Sequence, residues 1–197
     1  MTAQRDWPAQ AGRLIARLQA VAPDDIMTLD HVGSTAVPGL DAKEVVDLQL
    51  GVRDMAAADR LAPLLAESGF PRWPGIVSDN PKPSHPDPAD WVKRLHGSAD
   101  PGRAVNVHVR IAGSAGWRFA LCFRDWLRDD EAARADYLAE KRRVARRHIS
   151  DKSTAGYAAD KESWFTDQAF PRMEAWATRT GWQPPSEASA VPRTAQS

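Results

Sequence analysis

Asp47 and Gln49 lie in the run VVDLQLGV, where they alternate with Val46, Leu48, Leu50 and Val52. A period of two is that of a half-buried strand. The acid and the amide therefore share one face and the aliphatics the other. Upstream, Gly33-Ser34-Thr35 makes a small-residue turn after the apolar run that ends at Val32. Backbone N–H groups of such a turn can receive a phosphate, while a carboxylate on the next strand holds its metal ion. A second run, AVNVHVR, sets Val105, Val107 and Val109 on one face and Asn106, His108 and Arg110 on the other. His108 is thus a candidate proton acceptor and Arg110 a candidate phosphate contact, with a solvated strand end the equal alternative for the arginine. His31 and Asn106 are further candidates, although a strand-end histidine also serves simply by bonding a backbone group. Lys43, in the linker before Asp47, is a candidate phosphate ligand or a partner for Asp47.

The C-terminal half offers a second set. Tyr137 and Lys141 lie one helical turn apart, as do Tyr157 and Lys161, so each ring shares a helix face with an amine. Either pair could stack on a base and bind phosphates, or pack the ring and let the lysine snorkel to water. Arg124 and the adjacent Asp125 are off the apolar stripe of their helix, as a local ion pair or a ligand contact. Lys141, Arg142, Arg143, Arg146 and Arg147 surround almost a whole helix, the pattern of a solvated surface rather than an RNA platform.

The elements that must position these residues follow from periodicity and punctuation. The spacing of Ala11, Leu14, Ile15, Leu18 and Ala22 predicts a helix over about 9–20, with Pro8 in its first turn and Pro23 at its end. A strand is predicted over 26–32. A helix follows over 55–67, capped by Asp54, stopped by Gly69, with Leu61, Leu64 and Leu65 inward. Residues 70–90 carry too much proline for regular structure and are expected to form an ordered surface loop bordering the site. Strands over 91–96 and 104–110 should pair as a hairpin through a long turn around Asp100-Pro101-Gly102. Phe119, Cys122, Phe123, Trp126 and Leu127 make the stripe of a core-facing helix. Two more helices are predicted, over 131–147 and 154–177, the latter capped by Asp151 or Ser153 and bent at Pro171. Residues 181–197 have the composition of a disordered tail. The order predicts an α+β domain, a mixed sheet packed by helices with a C-terminal helical segment, as a single domain over 1–180.

Of the 197 residues, 26 are basic and 26 acidic, so a grip on duplex nucleic acid through bulk charge is not expected. The single cysteine, Cys122, excludes an intrachain disulfide framework and fits a reducing cytosol. No apolar run reaches a membrane span, and the first ten residues lack the apolar segment of a signal peptide. The chain is expected to be soluble and cytoplasmic.

HVGSTAVPGLDAKEVVDLQL resembles the signature of the GrpB family, a bacterial branch of the nucleotidyltransferase-fold superfamily. The blocks WVKRLHGSADPGRAVNVHVR, WRFALCFRDWLRDD and ADYLAEKRR, in that order, resemble the GrpB-type domain of actinobacterial dephospho-coenzyme A kinases. The likeness spans about His31 to Phe165. No G-x-x-x-x-G-K-[ST] loop occurs in the 197 residues, so coenzyme A phosphorylation is not assigned to them. The resemblance implies that Gly33, Ser34 and Thr35 cradle nucleotide phosphates and that Asp47 is the first metal-binding acid. Mg²⁺ or Mn²⁺ is the implied cofactor; a softer ion that accepts imidazole is an alternative. Gln49 departs from the pattern, standing where active nucleotidyltransferases place a second acid. The strand that should supply the third acid offers Asn106 and His108. Two divalent ions need bridging carboxylates, and a neutral amide can ligate but cannot offset charge.

The leading expectation is a nucleotide-binding protein that transfers a nucleotidyl group to a small acceptor with a divalent metal, with Asp47 and Gln49 on the metal and Asp47 and His108 catalytic. The alternative is a catalytically impaired nucleotide-binding or regulatory module. An RNA- or partner-binding protein acting through the basic helix is the least supported.

Overall fold

The computed structural model describes residues 6–22, 24–100, 104–149 and 155–185, with the side chains of residues 155 and 157–159 also outside the description. Four strands form one sheet: β1 (Thr28–Val32), β2 (Val45–Val52), β3 (Lys93–Gly97) and β4 (Ala104–Ile111). Their order is β1-β2-β4-β3. The central β2/β4 pair is parallel and both outer pairs are antiparallel. The expected mixed sheet and the β3/β4 hairpin are therefore present. Pro101 and Gly102 of its connecting turn fall outside the described residues.

The two faces of the sheet do different work. Val46, Leu48, Leu50 and Val52 of β2 join Val105, Val107 and Val109 of β4 in one core. Helices α1 (Trp7–Gln19) and α2 (Met55–Glu67) cover it with Leu14, Leu18, Leu61 and Leu65. Strict alternation makes this possible, because every second residue of both strands can be aliphatic while the polar ones point to the opposite face. Asp54 caps α2 as predicted, its carboxylate accepting from the Ala57 N–H at 2.7 Å. Leu64 is a correction: it is 37% exposed, because it falls off the stripe that Leu61 and Leu65 share one turn apart. Pro23 lies outside the described residues.

Opposite the aliphatic face stand α3 (Ala115–Asp129), α4 (Glu131–Arg147), α5 (Ala155–Trp164) and α6 (Phe170–Thr180). Ser114 and Asp130 cap α3 and α4 through the Trp117 and Ala133 N–H groups. Cys122, Phe123, Trp126 and Leu127, with Phe119 packed against them, form a second core with Tyr137, Phe170, Met173 and Trp176. The single helix predicted over 154–177 is instead α5 and α6 joined by a π-helical turn, Phe165–Ala169. The Phe170 N–H reaches back to the Phe165 carbonyl. Pro171 supplies no N–H and its ring crowds the carbonyl four residues before it, which accounts for a widened turn there. The predicted caps Asp151 and Ser153 lie outside the described residues. Residues 181–185, expected to belong to a tail, include packed ones. Gly181 closes α6 in the left-handed conformation, and Trp182 packs under Arg118 and donates its indole N–H to Asp125. Residues 186–197 lie outside the described residues.

Candidate functional site

Between the polar face of the sheet and α3–α5 lies a cleft of about 610 Å³. Its floor is set by strand register. Val32 pairs with Asp47, so Gly33 follows at once beside the acid. Asp47 pairs with Asn106, and Gln49 with His108. The Asn106 amide donates to Asp47 Oδ1 at 2.9 Å, and His108 leans across so that Nε2 lies 3.6 Å from the same oxygen. Gly33 has φ +71°, and a Cβ there would lie 2.5 Å from Asp47 Oδ2. Glycine is required for both reasons: the backbone is left-handed and the carboxylate occupies the space. Ser34 begins a single 3₁₀ turn, Ser34–Ala36, beside the acid.

Burial would raise the Asp47 carboxyl, but the His108 and Asn106 contacts and the charge of Lys161 outweigh it and hold the group below its ordinary value. Burial lowers His108, reinforced by Arg110 and Lys93 and only partly opposed by Asp47. Its Nδ1 is buried without a hydrogen-bond partner. With one nitrogen sealed and the other aimed at Asp47, His108 lines the cleft but is placed to orient the acid.

The wall opposite is cationic. Lys141, 8% exposed, donates to Ser34 Oγ and to the Asp41 carbonyl, both at 3.0 Å. It lies 5.4 Å from the centre of the Tyr137 ring, whose hydroxyl is 3.4 Å from Ser34 Oγ. The predicted sharing of a face by Tyr137 and Lys141 therefore delivers both to the Gly33–Ser34 turn. Burial, followed by the charge of Lys161, pushes Lys141 down to about 8. Lys161 and Lys43 also line the cleft. Tyr157 lies on α5, with its side chain outside the described residues.

Residues that the sequence did not single out complete the walls. Asp79, from the proline-rich loop, bonds Arg110 through Nε and Nη2 at 3.1 and 2.7 Å and pairs with Lys93. Lys82 of the same loop pairs with Glu162 of α5. The loop borders the site as expected, pinned at one end to the sheet and at the other to the helices. Its charged residues, set in a proline-rich stretch next to a strand, were the available signal. Trp91, Phe119, Phe123 and Phe165 supply the aromatic lining.

Several candidates do not reach the cleft. Gln49 is fully buried, accepting from Arg110 at 2.7 Å and donating to the Trp117 carbonyl at 3.2 Å. Its amide is used at both ends, so it is a strut and not a metal ligand. Arg110 borders the cleft, but its donors go to Asp79 and Gln49. His31 Nε2 and Thr35 Oγ1 bond each other at 2.9 Å, and burial, with Arg128 next, lowers His31 to about 4. Arg124 is held by Asp125 at 2.7 Å, by Asp30 and by the His31 carbonyl. These four lie behind the turn and fix β1 to α3. Among the basic residues of α4, Arg142, Arg143 and Arg147 pair with Asp41, Glu140 and Asp160, as a solvated surface does.

Among the described residues, no three His, Cys, Asp or Glu side chains are grouped so as to hold a metal ion. With Gln49 sealed and Asn106 donating to Asp47, the floor offers one carboxylate and one imidazole. That donor set does not fit a two-metal centre. Nor is any helix among the described residues long and apolar enough to cross a membrane.

A mixed four-stranded sheet, a glycine–serine turn against a strand acid and a layer of C-terminal helices are the parts implied by the family resemblance. Residues 1–169 match the family described as GrpB protein, and the chain belongs to that family. A crystal structure of conserved protein GrpB from Enterococcus faecalis shares the fold. It has a TM-score of 0.70 at 20% identity, covering 93% of this chain and 99% of that one. In sequence, the chain is 47% identical over 192 residues to a dephospho-CoA kinase of Mycolicibacterium paratuberculosis, covering 91% of this chain and 46% of the relative. A UPF0157 protein of Halalkalibacterium halodurans is 32% identical over 139 residues, covering 71% of this chain and 65% of that protein. The chain thus spans about half the length of the kinase relatives it matches.

Proposed function

We propose that the cleft beneath the Gly33–Ser34 turn binds a nucleotide, its phosphates toward Ser34, Lys141, Lys161 and Lys43 and its base toward the aromatic wall. The observation that carries this reading is charge. The cleft is lined by five cations, Lys43, Lys82, Arg110, Lys141 and Lys161, against three carboxylates. Asp79 is matched to Arg110 and Glu162 to Lys82, and Lys43, Lys141 and Lys161 line the same cleft beside Asp47. Such a wall attracts an anion. The aromatic side chains beside it suit a planar base.

The reading favoured is a nucleotide-binding or regulatory module without two-metal transfer. Nucleotidyl transfer to a small acceptor is a second reading, favoured by Asp47 at the cleft floor. The activity named for the kinase relatives is not carried to this chain. Adding ATP, GTP, CTP and UTP in turn to pure protein tests the proposal. A ligand at about 100 times its Kd adds about 2.7 kcal/mol, expected to raise Tm by about 5–10 °C for a domain of this size. No shift with any of the four at millimolar concentration would reject nucleotide binding. Pyrophosphate release abolished by Asp47→Ala would select the transferase.

A further inference from the structure

Ser34 lines the cleft directly after the left-handed Gly33, and two polar side chains of α4 meet at its hydroxyl. Lys141 Nζ lies 3.0 Å from Ser34 Oγ, and the Tyr137 hydroxyl 3.4 Å from it. Lysine and tyrosine are both buried, whereas Ser34 is half-buried at the cleft surface. A serine hydroxyl is a weak nucleophile until a neighbouring base takes its proton, and the two must lie within about 2.6–3.2 Å. The Ser34–Lys141 pair meets that distance. Serine with lysine as its base is a recurrent form of nucleophilic centre.

An ammonium cannot act as that base, but a neutral amine can. Burial, followed by Lys161, lowers Lys141 to about 8; Lys43 acts in the same direction, and Asp47 and Asp41 oppose it. Both forms are therefore populated near that pH. The neutral amine has two N–H groups and one lone pair. One N–H can still donate to the Asp41 carbonyl, 3.0 Å away, while the lone pair accepts the Ser34 O–H. The carbonyl thus holds the amine in place in either form. The neighbourhood of the hydroxyl is aromatic. The Tyr137 ring packs edge-on against Phe123 and lies beside Phe165, and both phenylalanines line the cleft.

We infer that Ser34, Lys141 and Tyr137 form a nucleophilic centre that accepts an acyl group from an activated carboxylic ester with an aromatic acyl portion. Lys141 takes the Ser34 proton as Oγ attacks the ester carbonyl carbon. The new Oγ–C bond forms, the C–O bond to the alcohol breaks, and the alcohol leaves with the proton returned by Lys141. The Tyr137 hydroxyl donates to the oxygen on which charge develops. Water then attacks the acyl-serine, again giving a proton to Lys141, which releases the carboxylic acid and restores Ser34. This activity goes beyond nucleotide binding and does not require it. The ester uses the neutral lysine, whereas an anion uses the protonated one.

The pure protein is given 4-nitrophenyl benzoate, and separately a fluorophosphonate whose adduct is located by peptide mass spectrometry. Nitrophenol release is expected to rise with pH to a plateau, with its midpoint at about 8, the value to which Lys141 is lowered. The fluorophosphonate should label Ser34. Ser34→Ala should abolish both signals. Lys141→Met should slow them by about 10²–10⁴-fold, the contribution of a general base. Lys141→Arg should be as slow, because arginine keeps the charge and the donors but stays protonated. Tyr137→Phe should lose about tenfold, the size of one hydrogen bond. Thermal melts check that each variant folds. Parent rates in Lys141→Arg would show a lysine that only tethers the turn, and would overturn the inference. So would release unaffected by Ser34→Ala, an adduct at another residue, or labelling of Ser34 at one rate from pH 6 to 9. Nucleotide binding is judged by its own thermal shift: a shift without ester cleavage rejects the acyl centre alone, and cleavage without a shift rejects the nucleotide alone.

Discussion

Two clusters on the polar face of β2 and β4 are built from similar residues and end in opposite states. In the first, Arg110, Lys93, Asp79 and Gln49 bond one another and the Trp117 carbonyl, and both cations are nearly buried. In the second, one register step away, Asp47, His108 and Asn106 face Ser34 and the lysines of the helical layer across a cleft. The first is closed: Asp79 bonds both Arg110 and Lys93, Gln49 takes the remaining arginine donor, and the network fixes the loop to the sheet. The second is open, with its polar groups set around a cleft. A satisfied buried network specifies structure, whereas polar groups that border a cavity leave room for a ligand. Polar residue type does not distinguish the two; partners do.

The largest test of this contrast removes the acid of the closed cluster. Asp79→Ala leaves Arg110 and Lys93 facing each other without a carboxylate, and should cost about 3–5 kcal/mol in urea denaturation. Arg110 and Lys93 hold the Asp79 carboxyl far below its ordinary value, overcoming the opposing effect of burial. Its contribution is therefore complete above the unfolded carboxylate pKa and is lost as pH falls through the folded one. Equal stability of the variant and the parent would show that the cluster is not closed in the sense argued.

A smaller effect is expected at Gln49. Gln49→Glu removes the donor to the Trp117 carbonyl and adds a charge beside an arginine already matched to Asp79. A loss of about 2 kcal/mol is expected, without new affinity for Mn²⁺ in a thermal-shift assay. Mn²⁺-dependent stabilisation of that variant would move Gln49 to the open cluster.

The smallest effect concerns pH. Lys141, pushed down to about 8 by burial and by Lys161, must be protonated to attract an anion. Nucleotide affinity should be strongest below that value and weaken as pH rises through it, by up to about 1.4 kcal/mol or tenfold. Stability should move the other way. Because the unfolded chain binds the proton more readily, the Lys141 contribution improves between about 8 and the ordinary lysine value. Affinity that is flat from pH 7 to 9.5 would remove Lys141 from the contact.

Most of the scaffold was legible because it depends on local rules. Alternation in VVDLQLGV and AVNVHVR placed the aliphatics on one face and the polar residues on the other. Asp54 announced its helix by capping it. The exceptions arose where a neighbour intervened. Leu64 was lost from the core through the phase of one helix, and the predicted bend at Pro171 is a π turn. Trp182 was assigned to a tail although it packs beneath Arg118. At the site, Gly33, Ser34, Asp47, His108, Tyr137, Lys141, Lys43 and Lys161 were all chosen from type and spacing, and all line the cleft. Thr35, His31, Arg124 and Asp125 were chosen on the same grounds and lie behind it. Their side chains found nearer partners.

The sequence alone determined the faces of the strands and the need for a tight turn before β2, since these follow from residue type and a period of two. The tertiary structure decided which polar groups face the cavity. Asp79 is far from Arg110 in the chain, and Lys141 far from Ser34. Whether a charge is neutralised by a partner or left facing a cavity depends on contacts between distant segments, which no local pattern encodes.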